Sequence, residues 1–483
     1  MDLMLIGWII LGAILVFLGV LLIRTAAFVP PVVEKPADVD LPAMDEEKIS
    51  RDMADIIRCR TISYRDDDQV NWDEYQRLYG LIEERFPLVH KNGHREFIGK
   101  TGLLFTWKGK HSDAPAVYMA HYDVVPVDAE AWERPPFEGV IEDGVLWGRG
   151  TLDTKGTFCS ILEAAEILMA QGFVPDQDIY LAFSGEEEID GLTAVALSDT
   201  LKDRGVHPAI VLDEGGAVVE NVLPGVTVPC ALIGTAEKGK VNVELQLKGV
   251  PGHASTPPRH TAVGRLAKAA VAIEAHPFAP RLISPVAEMF DCLGRHSSFA
   301  YRMLFANLWC FKPVLYAMAK KGGTELSAMM MTTVALTRMS GSDAFNVMPP
   351  EASMGGDIRI LPGENAQSVE AHLRSVIGDD DITIHRVNGT DPKPVSPMAG
   401  PGWERLTRVI GQTWPEAVVS PYLMLACSDA RHYCRVFDKV YRFSAMALSK
   451  EERGMIHGHN ERIPLSKLYT TVAFYLRMMM ASN

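Results

Sequence analysis

Short apolar runs alternate with helical stretches along much of this chain, and that order restricts the fold more than any other feature of the sequence. The runs are GLLFTW, AVYMA, IYLAF and AIVL, and segments with helical spacing such as GTFCSILEAAEILMAQG separate several of them. Strands that alternate with helices form a mostly parallel sheet with helices on both faces. The sequence therefore predicts an α/β fold.

Acidic and imidazole side chains follow three of these runs. AVYMA leads into His121 and Asp123, IYLAFSG into Glu186–Glu188, and AIVL into Asp213 and Glu214. Ligands of open α/β sheets bind beyond the carboxyl ends of the strands. One acidic triplet alone is typical of a solvated loop, and a lone histidine is typical of a core. Several carboxylates at one sheet edge, however, raise one another's pKa unless a cation neutralises them.

The residue types at this edge indicate which cation would bind. Imidazole and carboxylate ligands without thiolate suit zinc, with cobalt and manganese as alternatives. The seven cysteines are scattered without a CxxC pair, so neither a cysteine zinc site nor a disulfide framework is indicated. A nucleic-acid partner is not expected either, because the formal net charge is −14.

The N-terminus carries a different signal. Residues 3–23 form a run of 21 residues without a charge, about the ~20 that cross a bilayer. The alternative is a cleaved signal peptide, whose apolar core is usually shorter and preceded by a basic residue. We expect a single-pass membrane anchor over residues 1–25 and a proline-rich linker over 26–44. Arg24 and Lys35 favour a cytoplasmic body, but two charges leave the side open.

Five motifs together resemble a known family. AHYDVVP, WERPPFEGVIEDGVLWGRGTLDTKG, SGEEEIDG, VLDEGG and GVPGHASTPP occur in the order and spacing of the M20 metallopeptidases. The similarity is greatest to the branch that contains the Gly-X carboxypeptidase and the N-acyl-amino-acid hydrolase/synthase. The resemblance implies a hydrolase with two divalent metal ions that cleaves the amide bond before a C-terminal amino acid. Short peptides or N-acyl amino acids would be substrates, and amide synthesis or a non-catalytic scaffold are the alternatives.

The resemblance also implies a role for particular residues. Asp153 matches the carboxylate that bridges both metals and precedes a cis peptide bond, and Glu187 matches the general base. The implied metal ligands are His121, Asp153, Glu188, Glu214 and His457. Asp213 remains an alternative to Glu214. Asp123 is placed to accept a hydrogen bond from the ring nitrogen of His121 that does not bind metal.

A second unit interrupts the α/β pattern. KVNVELQLKG alternates apolar and polar residues, and a helix, two strands, a helix and a strand follow it. We therefore divide the chain into a catalytic domain over 45–237 and 391–483 and an inserted α+β domain over 238–390. In the family such a domain is a lid that can pair with a second subunit into a homodimer. The matching substrate residues are His253, Asn346 and Arg359.

Residues 280–331 are expected to form a helical insertion that packs on the lid. The segment is rich in aromatic and methionine side chains. An alternative function is an apolar surface that touches a membrane or an acyl chain. In the family, glycine usually lies just before the hydroxyl residue of a substrate loop. In this chain Cys427 occupies that position.

Overall fold

The computed structural model describes residues 3–32 and 35–481. Residues 1, 2, 33, 34, 482 and 483 lie outside the described residues. They fall within the predicted anchor, the predicted linker and the C-terminal part of the predicted catalytic domain.

An eight-stranded sheet forms the centre of the larger part of the molecule. Its strands, in spatial order, are Gly93–Ile98, Gly102–Trp107, Gln177–Ser184, His111–His121, Ile210–Val219, Val440–Ala447, Cys230–Glu237 and Val418–Met424. The middle four are parallel, and the two at the first edge are antiparallel. The sheet is therefore mixed, with four parallel and three antiparallel pairs of neighbouring strands. The first two strands follow one another through a tight turn, and only crossover connections produce parallel neighbours.

Helices cover both faces of this sheet, which confirms the predicted α/β class. Along one strand Tyr118 and Ala120 belong to the larger core, whereas Val117 and Met119 belong to a core on the opposite face. The helices outside the second unit, apart from the N-terminal helix Leu3–Ala27, are Glu46–Ile57, Trp72–Arg85, Pro87–Asn92, Lys155–Ala170, Thr193–Asp203, Pro401–Thr413, Ala430–Tyr433, Lys450–Met455 and Leu465–Met480. A small separate sheet pairs Val140–Glu142, Val145–Trp147 and Arg462–Pro464.

A four-stranded antiparallel sheet with two helices forms the second unit. Its strands, in spatial order, are Thr333–Ser340, Glu351–Ile360, Gly239–Lys248 and Thr383–Thr390, and its helices are Ala262–Ala275 and Ala366–Ile377. Buried and partly exposed residues alternate along Gly239–Lys248, as the sequence pattern predicted. The unit has a hydrophobic core of its own. A two-residue ladder between Gly252–His253 and Val347–Met348 extends from it.

The segment 280–331 is helical but does not pack mainly on the second unit. Its helices are Val286–Arg295, Phe299–Ala306, Leu308–Lys320 and Glu325–Met330. Their buried residues, including Phe290 and Leu315, belong to the core of the large sheet, and the Cys292 thiol lies 3.3 Å from the carbonyl of Val419 on the edge strand. The prediction of packing on the lid was wrong because the amphipathic helices cover the apolar face next to that edge strand.

The N-terminal helix runs from Leu3 to Ala27 and, within 3–32 and 35–481, is the one helix that is long and apolar enough to cross a membrane. Most of its side chains are exposed, but its last turns contact the helix Phe299–Ala306. The following extended segment lies on the large domain, where the amide of Gln412 donates to the carbonyl of Ala37.

Candidate metal centre

Three neighbouring strands deliver the predicted site residues to one edge of the large sheet. His121 is the last residue of its strand, and Glu187 begins a short turn just after the strand Gln177–Ser184. Glu214 differs from the prediction because its strand continues to Val219. Gly215, at φ +141°, interrupts the pairing with the next strand at this point. The sheet opens there, so Glu214 reaches the crevice from within a strand.

Asp153 lies between the two histidines. Its Oδ1 is 3.0 Å from Nε2 of His121, and its Oδ2 is 3.0 Å from Nε2 of His457. Glu214 lies 3.4 Å from His121, and Glu188 lies 3.0 Å from His457. One carboxylate is thus shared by two half-sites, each with one histidine and one glutamate. The peptide bond between Asp153 and Thr154 is cis, as the resemblance implied.

The pKa values of these side chains are shifted by burial and by the charges of their neighbours. Burial raises the pKa of Glu214 to about 8, and the charge of Asp153 adds to this effect. Burial also raises the pKa of Glu188. Hydrogen bonds to Asp153 and Glu188 raise the pKa of His457 to about 10. Burial would raise the pKa of Asp153 itself, but hydrogen bonds from both histidines outweigh burial and lower it.

This donor set fits divalent cations. Ligand atoms of His121, Asp153 and Glu188 lie within 4.8 Å of one another, as do those of His121, Glu187 and Glu214. Oxygen and imidazole nitrogen atoms without thiolate suit zinc, cobalt or manganese. Positive charge between the carboxylates would also offset the repulsion from Asp153, which adds to burial in raising the pKa of Glu188 and Glu214.

Asp123 orients the first half-site. Nδ1 of His121 lies 3.0 Å from the backbone carbonyl of Asp123 and 3.3 Å from its carboxylate. The same carboxylate accepts hydrogen bonds from the backbone amides of Glu187 and Glu188 and from the hydroxyl of Ser63. A single buried side chain therefore positions both the histidine and the turn that carries the two glutamates.

Asp213 points away from the cluster. Its carboxylate accepts a 2.7 Å hydrogen bond from the amide of Ala430, in the loop 428–433. Glu214, its neighbour, points to His121 instead. Of the two acids that the sequence left open, the geometry thus brings Glu214 into the half-site.

Glu187 lies between the cluster and that loop. Burial raises the pKa of its carboxyl group well above the usual range, with the charges of Asp429 and Glu214 adding to the effect. The guanidinium of Arg431 lies 3.6 Å from Glu187 and also pairs with Asp190 at 2.9 Å. A raised pKa makes this carboxylate a stronger base than an exposed one, which suits a group that accepts a proton from water.

Glu461 is a site residue that the sequence reasoning missed. It is fully buried and pairs with Arg149 at 2.5 Å. Its two oxygens also accept hydrogen bonds from the amides of Gly150, Leu152 and Asp153. The position of the loop that carries Asp153 therefore depends on a residue about 310 positions later in the chain. The signal was present, since Glu461 ends the HGHNE motif that contains His457.

The predicted substrate residues lie apart from this cluster. Arg359 is on the second unit, where it donates to Asp357 at 2.8 Å and lies 3.4 Å from the thiol of Cys427. Burial raises the pKa of that thiol to about 11, so Cys427 is neutral next to the guanidinium. His253 is exposed on the short ladder and Asn346 is exposed just before its second strand, where the carbonyl of Asn346 accepts a hydrogen bond from the amide of Ala254.

Comparison with known proteins identifies relatives of this chain. The family model "Peptidase family M20/M25/M40" matches residues 117–481. "Probable carboxypeptidase S-like 2" of Dictyostelium discoideum is 34% identical over 97% of this chain and 92% of its own length. "N-fatty-acyl-amino acid synthase/hydrolase PM20D1" of Xenopus tropicalis is 33% identical over 98% of this chain and 94% of its own length.

A solved structure shows the same fold. The M20 family metallo-carboxypeptidase Sso-CP2 from Sulfolobus solfataricus superposes with a TM-score of 0.65 at 17% identity, and the match covers 91% of this chain and 99% of that one. The family match covers most of the chain, and the two relatives are similar over nearly their whole length. The chain therefore belongs to the M20 peptidase family and is a hydrolase of the metallocarboxypeptidase type.

Proposed function

We propose that this protein is a membrane-anchored hydrolase with two divalent metal ions that cleaves the amide bond before a C-terminal amino acid. One observation carries the proposal: the carboxylate of Asp153 lies 3.0 Å from a histidine on each side, and each histidine has a glutamate of its own. A carboxylate shared in this way is what a two-metal site needs.

The ligands that we propose are His121, Asp153 and Glu214 for one ion and His457, Asp153 and Glu188 for the other. Bound divalent ions would polarise the substrate carbonyl and lower the pKa of a water molecule. Zinc is the ion that we expect, with cobalt and manganese as alternatives.

The chain's own residues supply the remaining steps. Glu187 accepts the proton of the attacking water and returns it to the leaving amine, so that the amide C–N bond breaks with no net change in the enzyme. Arg431 holds the carboxylate of Glu187 beside the cluster. Asp123 keeps the ring of His121 in the orientation that leaves Nε2 free for the metal.

The second unit would select the substrate. Arg359 offers a planar fork for a free α-carboxylate, and its neighbours Lys240 and Arg431 add positive charge at the same opening, where both approach Asp190. We further propose that His253 and Asn346 reach the reaction centre when the lid closes or when a second subunit contributes them, because both are exposed here.

Two substrate classes fit this arrangement, namely short peptides and N-acyl amino acids. The 33% identity to an N-fatty-acyl-amino acid synthase/hydrolase over nearly the whole chain favours the second class. The apolar N-terminal helix also favours it, because an anchor in the bilayer places the site close to fatty-acyl amphiphiles. The reverse reaction, amide synthesis, would use the same residues.

The test is a measurement on the full chain in lipid nanodiscs. Metal content is determined together with turnover of dipeptides and N-acyl amino acids, before and after chelation and after zinc is restored. We expect about two metal ions per chain and a loss of turnover on chelation that zinc reverses. Turnover that persists without metal would contradict the proposal.

A further inference from the structure

The N-terminal helix docks at a specific place on the helical segment 280–331. Asn307 donates to the carbonyl of Leu21 and to the hydroxyl of Thr25, each at 3.2 Å. Arg24 donates to the carbonyl of Ala306 at 3.0 Å. Leu21 and Thr25 are consequently buried, whereas most other side chains of that helix are exposed.

The contact continues toward the middle of the N-terminal helix. The rings of Phe17 and Trp309 pack edge to face with their centroids 5.9 Å apart. Ile23 is the last residue of the uncharged run, and Phe17 lies six residues before it. This separation corresponds to roughly 9 Å along the helix axis. The uncharged run itself is about 31 Å long, equal to the hydrocarbon thickness of a bilayer. A bilayer that covers the run from end to end therefore also covers Trp309.

The surface around Trp309 is apolar. On the helix Leu308–Lys320 an exposed stripe consists of Pro313, Val314, Ala317 and Met318. Phe299 and Tyr301, on the preceding helix, are exposed by 49% and 41%, and Trp309 by 57%. Exposed apolar side chains that are grouped on one helix face mark an interaction surface.

The charge of this segment differs from that of the whole chain. Residues 299–321 contain four basic residues, Arg302, Lys312, Lys320 and Lys321, and no acidic residue, in a protein whose net charge is −14. Lys312, Lys320 and Lys321 are exposed and lie beside or at the end of the apolar stripe. Basic residues that border an apolar helical face bind the anionic surface of a lipid bilayer.

We propose that the helices Phe299–Ala306 and Leu308–Lys320 form a membrane platform that inserts into the bilayer beside the anchor. The apolar stripe and Trp309 enter the acyl region, and the three lysines contact lipid phosphates. The anchor and the platform together hold the large domain at a defined orientation to the membrane. This inference rests on the proposed anchor, which is why the test below measures the anchor separately.

The experiment places an environment-sensitive fluorophore at single introduced cysteines in the full chain, reconstituted in nanodiscs with and without brominated lipid. The positions are Val314→Cys on the platform, Val174→Cys as a matched control, and Phe17→Cys on the anchor. Val314 and Val174 are both 51% exposed, and Val174 lies in the loop before the strand Gln177–Ser184, well away from the edge strand that contacts the helical segment. Labelling of the unsubstituted chain gives the background from native cysteines.

We expect brominated lipid to remove roughly half or more of the fluorescence at positions 17 and 314, as for groups within the acyl region, and little at position 174. Quenching at position 17 without quenching at position 314 would overturn the platform and leave the anchor in place. Self-quenching between labels at position 314 in that case would assign the surface to a second copy of the chain. Absence of quenching at both positions would overturn the anchor and the platform together. It would not overturn the proposed hydrolase activity, which is tested by the separate measurement of metal content and turnover.

Discussion

Glu187 and Glu188 are neighbours in sequence but face different partners. The carboxylate of Glu188 lies 3.0 Å from His457, whereas that of Glu187 lies 3.6 Å from the guanidinium of Arg431. We expect Glu187→Gln to keep both metals and to lose nearly all turnover, because an amide cannot accept the proton. We expect Glu188→Gln to weaken metal binding. Metal content and kcat measured on both variants decide between the roles.

The matched control is Glu186→Gln, since Glu186 hydrogen-bonds to Thr193 rather than to the cluster. It should retain both metal and turnover. If Glu187→Gln lost metal while Glu188→Gln retained it, the two assignments would have to be exchanged. Glu187 could take the role of a metal ligand because its carboxylate lies close to ligand atoms of His121 and Glu214.

Substitution of Arg359 tests whether this one side chain selects the substrate. Arg359→Ala should raise KM for substrates with a free α-carboxylate and spare their amidated counterparts, because it removes a bidentate charged contact worth about 2–3 kcal/mol. The control is Arg338→Ala, an exposed arginine on the adjacent strand of the same sheet. An equal loss on both kinds of substrate would show that Arg359 is structural.

At the scale of elements, the site depends on one contact between distant loops. Glu461 accepts bonds from the loop that carries Asp153 and pairs with Arg149. Glu461→Gln replaces one acceptor oxygen with an NH₂ group that faces donors, which should cost about 1–3 kcal/mol of stability and lower the metal content. Thermal melting and metal analysis measure the two effects.

Glu451→Gln is the control for that substitution. Glu451 also pairs with an arginine, Arg462, but its side chain is 75% exposed. Exposed ion pairs contribute little to stability, so this variant should melt like the parent and keep its metal. A Glu461→Gln variant that kept full metal content would show that the loop holds its position without the carboxylate.

At the scale of the whole molecule, the proposed anchor and the proposed active site together predict which acyl groups the enzyme prefers. If the bilayer supplies the substrate, long-chain N-acyl amino acids should be better substrates than polar dipeptides. Each buried methylene contributes about 0.8 kcal/mol, so kcat/KM should rise steeply from acetyl to octanoyl derivatives of one amino acid and rise or level off at oleoyl. A flat or falling series would favour the peptidase reaction instead.

The sequence by itself determined the α/β class, and it predicted which acids and which histidine come together at one edge of the sheet. Both depend on local patterns. The alternation of Val117 and Tyr118 between two cores follows from the two-residue period of a strand, and His121 and Glu187 lie at strand ends whose position the same pattern marks. Only the family resemblance of the HGHNE motif predicted His457 as part of the cluster. No periodicity or turn pattern in the sequence indicates that His457 lies near Asp153.

The tertiary structure decided what depends on contacts between distant parts of the chain. Asp213 and Glu214 are adjacent and chemically alike, and only the opening of the sheet at Gly215 and the amide of Ala430 direct one into the cluster and the other away from it. The helical segment was assigned to the wrong neighbour for the same reason. An amphipathic pattern shows that a helix buries one face, but the partner of that face is set by the edge strand and by the N-terminal helix, which are more than 100 and about 280 residues away in sequence.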